Sequence, residues 1–460
     1  MSMNSDILLN QIDSACRRLN IAQTTFGRQA VNDGKFVTRL QQGGRVTLKT
    51  VERVHRFIAE REGSSEIALR AALQNPFGNP GAPEQGFRFY DNRQKYLMFV
   101  NTSSEKQIIA DRAIKELAGT SPLPPALRLF DGGAGDGTAL ARLLRGAHRH
   151  YPWLPFYVVA KEISMENVRL ALEKMPDRLQ EHPATVLVMT NLRYCEAPWL
   201  APDTAEAASA MVWREVALEG TTAGDFEEQL GALTPFLSQH WQARVSVRTG
   251  KPVYRTPVVL VIHRKDNRFP LDAVLPQRGA ARADFDFVLL SQPYRARAPL
   301  DFKSRRVVAP LVRSLRAGGK LMGVHSHGQD PGMEILRAVW PGENPFDTGR
   351  TALMQAVRAD LGGTSRDFHF HKLSDANAVF RYDIHTLPDE IDGQNDIGSS
   401  TLWATWNAAT YVGQIDDARL SRAMTDTKYL DVTRDALRRH KGLWFNDEVY
   451  LISRKYHLGS

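Results

Sequence analysis

Cysteine is almost missing from these 460 residues. Cys16 and Cys195 are the only two. They lie far apart in unlike surroundings, which excludes a disulfide framework and a thiolate metal centre. Long hydrophobic runs are missing too. No apolar stretch approaches the ~20 residues that cross a bilayer. Residues 1–20 hold neither an apolar core segment nor a small-residue cleavage site, so no secretory signal and no membrane partner are expected, and the cytoplasm is the expected compartment. Acidic residues are the scarcer charge: 51 Asp and Glu against 59 Lys and Arg, a net charge of +8. Such a balance suits a polyanionic partner such as nucleic acid without assigning one. Hydrophobic residues make up 43% and charged residues 24%, the profile of an ordinary folded chain. The length predicts two or three structural units.

Residues 1–62 read as a small all-helical unit. Ile7, Leu8, Ile12 and Cys16 recur at helical spacing over 5–19. A second helix is expected over 22–31, and Asn32-Asp33-Gly34 is a turn signal. A third helix starts near Lys35, with Phe36, Val37 and Leu40 facing inward, and Gly43-Gly44 ends it. Thr47 caps a fourth, whose inner face is Val51, Val54 and Phe57. The run FGRQAVNDGKFVTRLQQGG within this pattern resembles the repressor-like helix-turn-helix fold. That resemblance implies DNA binding by Lys35, Thr38, Arg39, Gln41 and Gln42 on the third helix, with Arg17, Arg18, Arg28 and Arg45 on phosphates. A helical module for dimerisation or protein docking has the same pattern. Residues 63–88, rich in Gly, Pro, Asn and Ser, read as a linker.

The rest of the chain, 89–460, is expected to be α/β. Its strongest signal is PPALRLFDGGAGDGTALARLL at 124–144. Leu127 to Phe130 form a strand, Asp131 to Gly137 a glycine-rich turn, and Thr138 onward a helix. Glycines let a ligand approach the backbone, and the helix start offers free N–H groups. A dinucleotide turn would need a third glycine where Thr138 stands. The pattern here is acidic-x-Gly-x-Gly-x-Gly: Asp131, Gly133, Gly135, Gly137. It resembles the first motif of class I S-adenosylmethionine-dependent methyltransferases. An acidic residue at the strand end suits a ligand with an ammonium group.

The resemblance extends along 87–200 and 284–455, and implies a Rossmann-like, mostly parallel seven-stranded sheet with helices on both faces. Residues 156–160 are a second strand followed by Glu162, where the family's ribose-binding acid should stand. Residues 185–189 are a third strand leading to Asn191 and Leu192, the implied adenine contacts. Tyr90, Tyr96 and Lys106, in a segment preceding the first motif, are candidates to cover the cofactor. The fourth strand is expected at 285–294, ending near Ser291. An amphipathic helix over 307–315, a glycine turn and a fifth strand follow in LRAGGKLMGV, and 443–455 is a closing antiparallel strand. Residues 200–280 are an insertion, with a helix at 224–241, a basic hairpin and a strand at 258–262, of the kind that shapes substrate choice.

The acceptor is the open question. Ligands in open α/β sheets sit at the carboxyl ends of the strands, so Ser291, Gln292, Pro293, Tyr294, His325, Ser326 and His327 should face the site, with Ser291 also a candidate cofactor contact. Ser291-Gln292-Pro293-Tyr294 is one residue from the tetrad of amino-methylating DNA enzymes, which stack a flipped base on its aromatic residue. Gln292 in place of the first proline favours a small-molecule or protein acceptor. Tyr294, His325 and His327 are the candidates for catalysis, with a histidine as general base. Asp330 and Glu334 nearby suggest a metal, but no third ligand is fixed by spacing and none is expected. His369 and His371 receive no role. A DNA or RNA methyltransferase and a transcriptional regulator that only senses the cofactor are the competing classes. A homodimer is compatible with the sequence and not specified by it.

Overall fold

The computed structural model describes residues 93–246, 252–385, 391 and 396–456, together with 8–9, 12–13, 15–16, 21–42, 44, 46–47, 50–51, 53–54 and 57–58. The expected linker, Tyr90, Arg17, Arg18 and Arg45 lie outside them. The chain divides into two units, Met1–Arg88 with Asp416–Thr425, and Phe89–Ile415 with Asp426–Ser460.

In the first unit, α1 (Gln23–Val31) and α2 (Phe36–Gln41) are joined by a tight turn. Asn32 closes α1 in the left-handed region, φ +60°. Gly27 is where the helices meet: a Cβ there would lie 2.5 Å from the Asp33 carbonyl oxygen and 3.3 Å from the Phe36 Cβ. Phe26, Ala30, Phe36, Val37 and Leu40 share one core with Leu8, Ile12, Val51 and Val54. The described parts of 8–16 and 50–58 are helical, and the Thr47 hydroxyl accepts from Thr50 N at 3.3 Å, as a cap would.

The second unit opens with α3 (Arg93–Thr102) and α4 (Glu105–Ala118). Its strands run in chain order β1 (Leu127–Asp131), β2 (Phe156–Lys161), β3 (Thr185–Thr190), β4 (Val212–Leu218), β5 (Ala243–Val245), β6 (Pro252–Tyr254), β7 (Val258–Arg264), β8 (Phe285–Ser291), β9 (Leu315–Ser326), β10 (Phe368–Phe370), β11 (Val379–Ile384) and β12 (Leu443–Arg454). One large sheet takes the order β10-β12-β9-β8-β1-β2-β3-β7-β4, with β11 also on β12. β3, β2, β1, β8 and β9 are mutually parallel, and β12 is antiparallel to β9. The mostly parallel α/β sheet with an antiparallel closing strand is therefore as expected. It has ten strands rather than the seven expected: the insertion adds two, and β11 is the third.

Those two are β7, antiparallel to β3, and β4, parallel to β7. β7 is buried along its whole length, which explains its continuous apolar run. β5 and β6 form the small antiparallel hairpin. The single helix expected at 224–241 is two, Ala223–Gly231 and Thr234–His240, with Pro235 in the first turn of the second. The helix read at 307–315 ends at Arg313, and β9 starts at Leu315, ahead of the glycines. Gly318 takes φ +78° where the β8–β9 register shifts, so the expected turn is an irregularity within a strand. Apolar clusters fill both faces of the sheet. No helix among the described residues is long and apolar enough to cross a membrane.

Candidate functional site

The chain reverses direction across the sheet between β1 and β8. β1 leads to β2 and β3 on one side, and β8 leads to β9 on the other. The loops after β1 and β8 diverge, and such a switch point opens a crevice at the carboxyl edge. A cavity of about 290 Å³ lies there.

Its first wall is the glycine turn. Asp131 ends β1 and is 2% exposed. Its Oδ1 accepts from Gly133 N at 3.2 Å, and its Oδ2 has no partner among the described residues. Burial, only partly offset by the Gly133 N–H, pushes its carboxyl up to about 7. Gly135 and Gly137 take φ +54° and +80°. A Cβ at Gly135 would stand 2.8 Å from the Tyr96 Oη, and one at Gly137 would stand 2.7 Å from the Ala171 Cα. Gly137 caps the helix α5 (Thr138–His150). Glu162, just after β2, braces this turn: its Oε2 accepts from Gly135 N at 2.9 Å, and its Oε1 from Ile163 N and Ser164 N at 2.7 and 2.8 Å. A carboxylate offers roughly four acceptor positions, so one direction stays open. The insertion reaches the same place, since Trp241 Nε1 donates to the Glu162 carbonyl oxygen at 3.1 Å.

Tyr96 and Lys106, from the preceding segment, both line the cavity. The Tyr96 hydroxyl donates to Asp136 Oδ1 at 3.1 Å and accepts from Asp136 N at 3.0 Å. Asn191 and Leu192 do not line it. Asn191 is spent on the insertion: its Nδ2 donates to the Thr256 carbonyl oxygen at 2.9 Å and its Oδ1 accepts from Val258 N at 2.8 Å. That staple positions β7 beside β3. Leu192 is fully buried in the core. Lys161 and Tyr194 line the cavity instead, with the Lys161 ammonium 4.7 Å from the Tyr194 ring centre and the Tyr194 hydroxyl donating to the Pro293 carbonyl oxygen at 2.9 Å.

The second wall is the loop after β8. Ser291, Gln292, Pro293 and Tyr294 all line the cavity. The Ser291 Oγ is buried without a partner. Gln292 sits at φ +49°, a conformation a non-glycine residue holds only when its surroundings fix it. Its Nε2 lies 3.3 Å from Glu105 Oε1, 3.2 Å from Ser326 Oγ and 3.1 Å from Asp447 Oδ1.

Behind Tyr294 runs a proton path. The Tyr294 hydroxyl is 2.8 Å from His325 Nδ1, and His325 Nε2 is 2.7 Å from Glu448 Oε1. Arg350 holds Glu448 through its backbone N–H and its guanidinium, each at 2.7 Å. Burial would raise the Glu448 carboxyl, but His325 and Arg350 overcome it and hold it down at about 2. Burial pushes the Tyr294 phenol well above its usual range. The Glu448 carboxylate accepts from His325 Nε2, which leaves Nδ1 as the ring nitrogen that meets the Tyr294 hydroxyl. Tyr294 thus faces the cavity and His325 stands one step behind it. His327, 3.5 Å from Glu448 Oε2, does not line the cavity. No group of three or more His, Cys, Asp or Glu among the described residues is placed to hold a metal.

No protein-family model matches this chain, and no curated protein matches it. Solved structures do. The [4+2]-cyclase SpnF is similar at 12% identity over 88% of this chain and 97% of its own, with a TM-score of 0.30. A geranyl diphosphate methyltransferase in complex with GPP and sinefungin is similar at 12% identity over 76% and 78%, TM-score 0.28. A loganic acid methyltransferase with SAH is similar at 9% identity over 83% and 99%, TM-score 0.29. Likeness at this level assigns no ligand or activity to this chain.

Proposed function

We propose that this chain is an S-adenosylmethionine-dependent methyltransferase acting on a small-molecule or protein acceptor. One observation carries the reading: the Asp131-to-Gly137 turn puts Gly133 and Gly135 on the wall of the same cavity as Tyr294, and Asp131, which does not itself line the cavity, holds a buried carboxylate oxygen without a partner among the described residues at the start of that turn. The residues present fit the cofactor. Asp131 Oδ2 would take its ammonium, the remaining acceptor position of Glu162 a ribose hydroxyl, and the side-chain-free Gly133 and Gly135 its close approach to the backbone. Tyr194 and Ile163, which line the cavity, would take the adenine in place of Asn191 and Leu192. When bound, the cofactor supplies a methyl group already activated on sulfur.

What the chain itself must do is place the acceptor and remove its proton. Tyr294 is the group at the cavity wall with a histidine and a carboxylate in line behind it. Its burial disfavours a standing phenolate, so the acceptor's proton reaches the Tyr294 oxygen as the phenolic proton passes to His325 Nδ1. Glu448 stabilises the imidazolium that results. Tyr294 is the catalytic residue here, and His325 and Glu448 are positioning residues that act through it.

Stacking a flipped base on Tyr294 is disfavoured. The side chain is 8% exposed and its hydroxyl is engaged by His325. DNA enters the reading through the first unit instead. Lys35, Thr38, Arg39, Gln41 and Gln42 are exposed on α2, while Phe36, Val37 and Leu40 are buried. That division of faces supports a helix-turn-helix module with its polar face turned to solvent, where Arg39 is paired with Asp33 and would exchange that carboxylate for a phosphate on binding DNA.

The test is calorimetry with S-adenosylhomocysteine, followed by labelled-methyl transfer to plasmid DNA, tRNA, total protein and small-molecule extract. The wild type should bind S-adenosylhomocysteine, Gly135→Arg should not, and label should enter the small-molecule or protein fraction. Tight NAD binding without any response to S-adenosylhomocysteine overturns the methyltransferase reading. Cofactor binding without turnover on any fraction favours a cofactor-sensing regulator, and label in DNA alone favours a DNA methyltransferase.

A further inference from the structure

Four separate elements bring polar groups together at one part of the cavity: Glu105, Gln292 and Ser326 line it, and Asp447 stands behind them within reach of the Gln292 amide. Glu105 starts α4, Gln292 follows β8, Ser326 ends β9 and Asp447 lies on β12. Glu105 is 3% exposed and Asp447 is fully buried. The Gln292 amide has two hydrogens and three acceptors within reach, so this nest is short of donors. Lys106, 3.2 Å from Glu105 Oε2, is the one cation paired with these two carboxylates among the described residues. Asp447 Oδ2 has no hydrogen-bond partner. Burial, and then the neighbouring Glu105, push the Asp447 carboxyl well above the usual carboxylate range.

A second, independent feature sits in the same cavity. Tyr382 lines it, is fully buried, and its hydroxyl has no hydrogen-bond partner among the described residues. A buried phenol is ordinarily hydrogen-bonded, so one left open inside a cavity marks a place for a ligand's polar group. Phe99 and Tyr411 line the cavity beside it, with Phe99 ring-centre distances of 4.9 Å to Tyr411 and 6.2 Å to Tyr382.

We propose that this nest binds a protonated amine of the methyl acceptor, with Glu105 and the Tyr382 oxygen as its acceptors at the cavity wall, Asp447 behind them, and the neighbouring rings as the bed for its apolar body. This rests on the methyl-transfer reading, since it names that reaction's substrate class. An ammonium brings three N–H donors and one positive charge, which is what a donor-poor nest with two carboxylates and one lysine lacks. Aromatic faces add attraction for a cation. An anionic acceptor would meet Glu105 with like charge. The cofactor's own ammonium has a separate partner in Asp131 at the glycine turn.

The experiment is calorimetric titration of the full chain with three primary arylalkylamines, phenethylamine, tyramine and tryptamine. Each is compared with its N-acetyl derivative and its arylacetate counterpart, with and without saturating S-adenosylhomocysteine. At least one amine should bind about tenfold or more tighter than both counterparts. Glu105→Gln should abolish that preference while S-adenosylhomocysteine affinity changes less than twofold. Tyr382→Phe, which keeps the ring and so the packing, should weaken the amine about threefold to tenfold, and it serves as the deciding variant if Glu105→Gln does not fold. No preference for amines in the wild type overturns the proposal. So does a Glu105→Gln variant that loses S-adenosylhomocysteine and keeps the amine preference, because the nest then belongs to the cofactor. Failure of the wild type to bind S-adenosylhomocysteine overturns the methyltransferase reading instead, and the titrations without it still report on the nest.

Discussion

Asp131 keeps its proton up to a pH of about 7, because burial penalises the charged form. The sign follows. A carboxyl raised above its unfolded value favours the fold most below pH ~4, and that contribution is lost as pH rises through about 7. A ligand ammonium reverses the preference and drives the proton off. Titration with S-adenosylhomocysteine at pH 6, in two buffers of different ionisation enthalpy, should therefore show release of about one proton, and near none at pH 8. Asp131→Asn should remove the release and weaken binding. Glu448 runs the other way. Its carboxyl, held at about 2, contributes stability above pH ~4.5 that is lost as pH falls toward 2. Glu448→Gln should flatten melting temperature against pH over that window and move the acidic limb of the kcat profile, while cofactor affinity stays constant. Tyr294→Phe should lower kcat about 10²-fold with the same affinity for S-adenosylhomocysteine. Equal loss of kcat and of cofactor affinity would remove Tyr294 from proton transfer.

At the scale of elements, the glycine turn and the insertion are the two devices that build the site. Gly137→Ala must fit a methyl group against the Ala171 backbone at a left-handed φ, and should cost about 1–3 kcal/mol in urea unfolding. Trp241→Phe leaves the Glu162 carbonyl oxygen without its indole donor. It should weaken S-adenosylhomocysteine by roughly 1 kcal/mol, and an unchanged affinity would separate the insertion from the cofactor site. The turn was legible because three glycines between a strand and a helix have few other uses. The parallel strands were legible as apolar runs, and β12 as an alternating one. Asn191 was placed at the adenine because the sequence gives no sign that β7 docks beside β3 and takes its side chain. β4 and β11 carry weak patterns and were not foreseen. Glu105 stands next to the candidate Lys106 but reads as an ordinary helix-start residue, whereas Tyr382, Arg350 and Glu448 lie far from the motifs in sequence and are brought in by long-range packing. For the last, one signal was there: adjacent Asp447 and Glu448 inside an otherwise apolar strand are costly to bury without a purpose.

At the scale of the whole molecule, DNA binding and methyl transfer should be separable. In the full chain, Lys35→Ala with Arg39→Ala should abolish the mobility shift of duplex DNA. Wild-type DNA affinity should fall steeply with salt, as counterion release requires. Methyl transfer to the small-molecule fraction should be unchanged by the same pair. Loss of both together would mean that the DNA is itself the acceptor. The width of the sheet bears on a different property, the chain's behaviour at high concentration. β3 would otherwise end the sheet with a fully buried, β-branched run, but β7 covers it and passes the edge to β4. β4 presents Arg214 to solvent, and the opposite margin is divided between β10, three residues long, and β11, six residues long, both paired with β12. A charged margin and one broken into two short strands are both poor templates for another chain's strand. Replacing Arg214 with valine should leave the fold intact and raise light scattering on concentration, so the same insertion that walls the cavity also guards against strand-to-strand self-association.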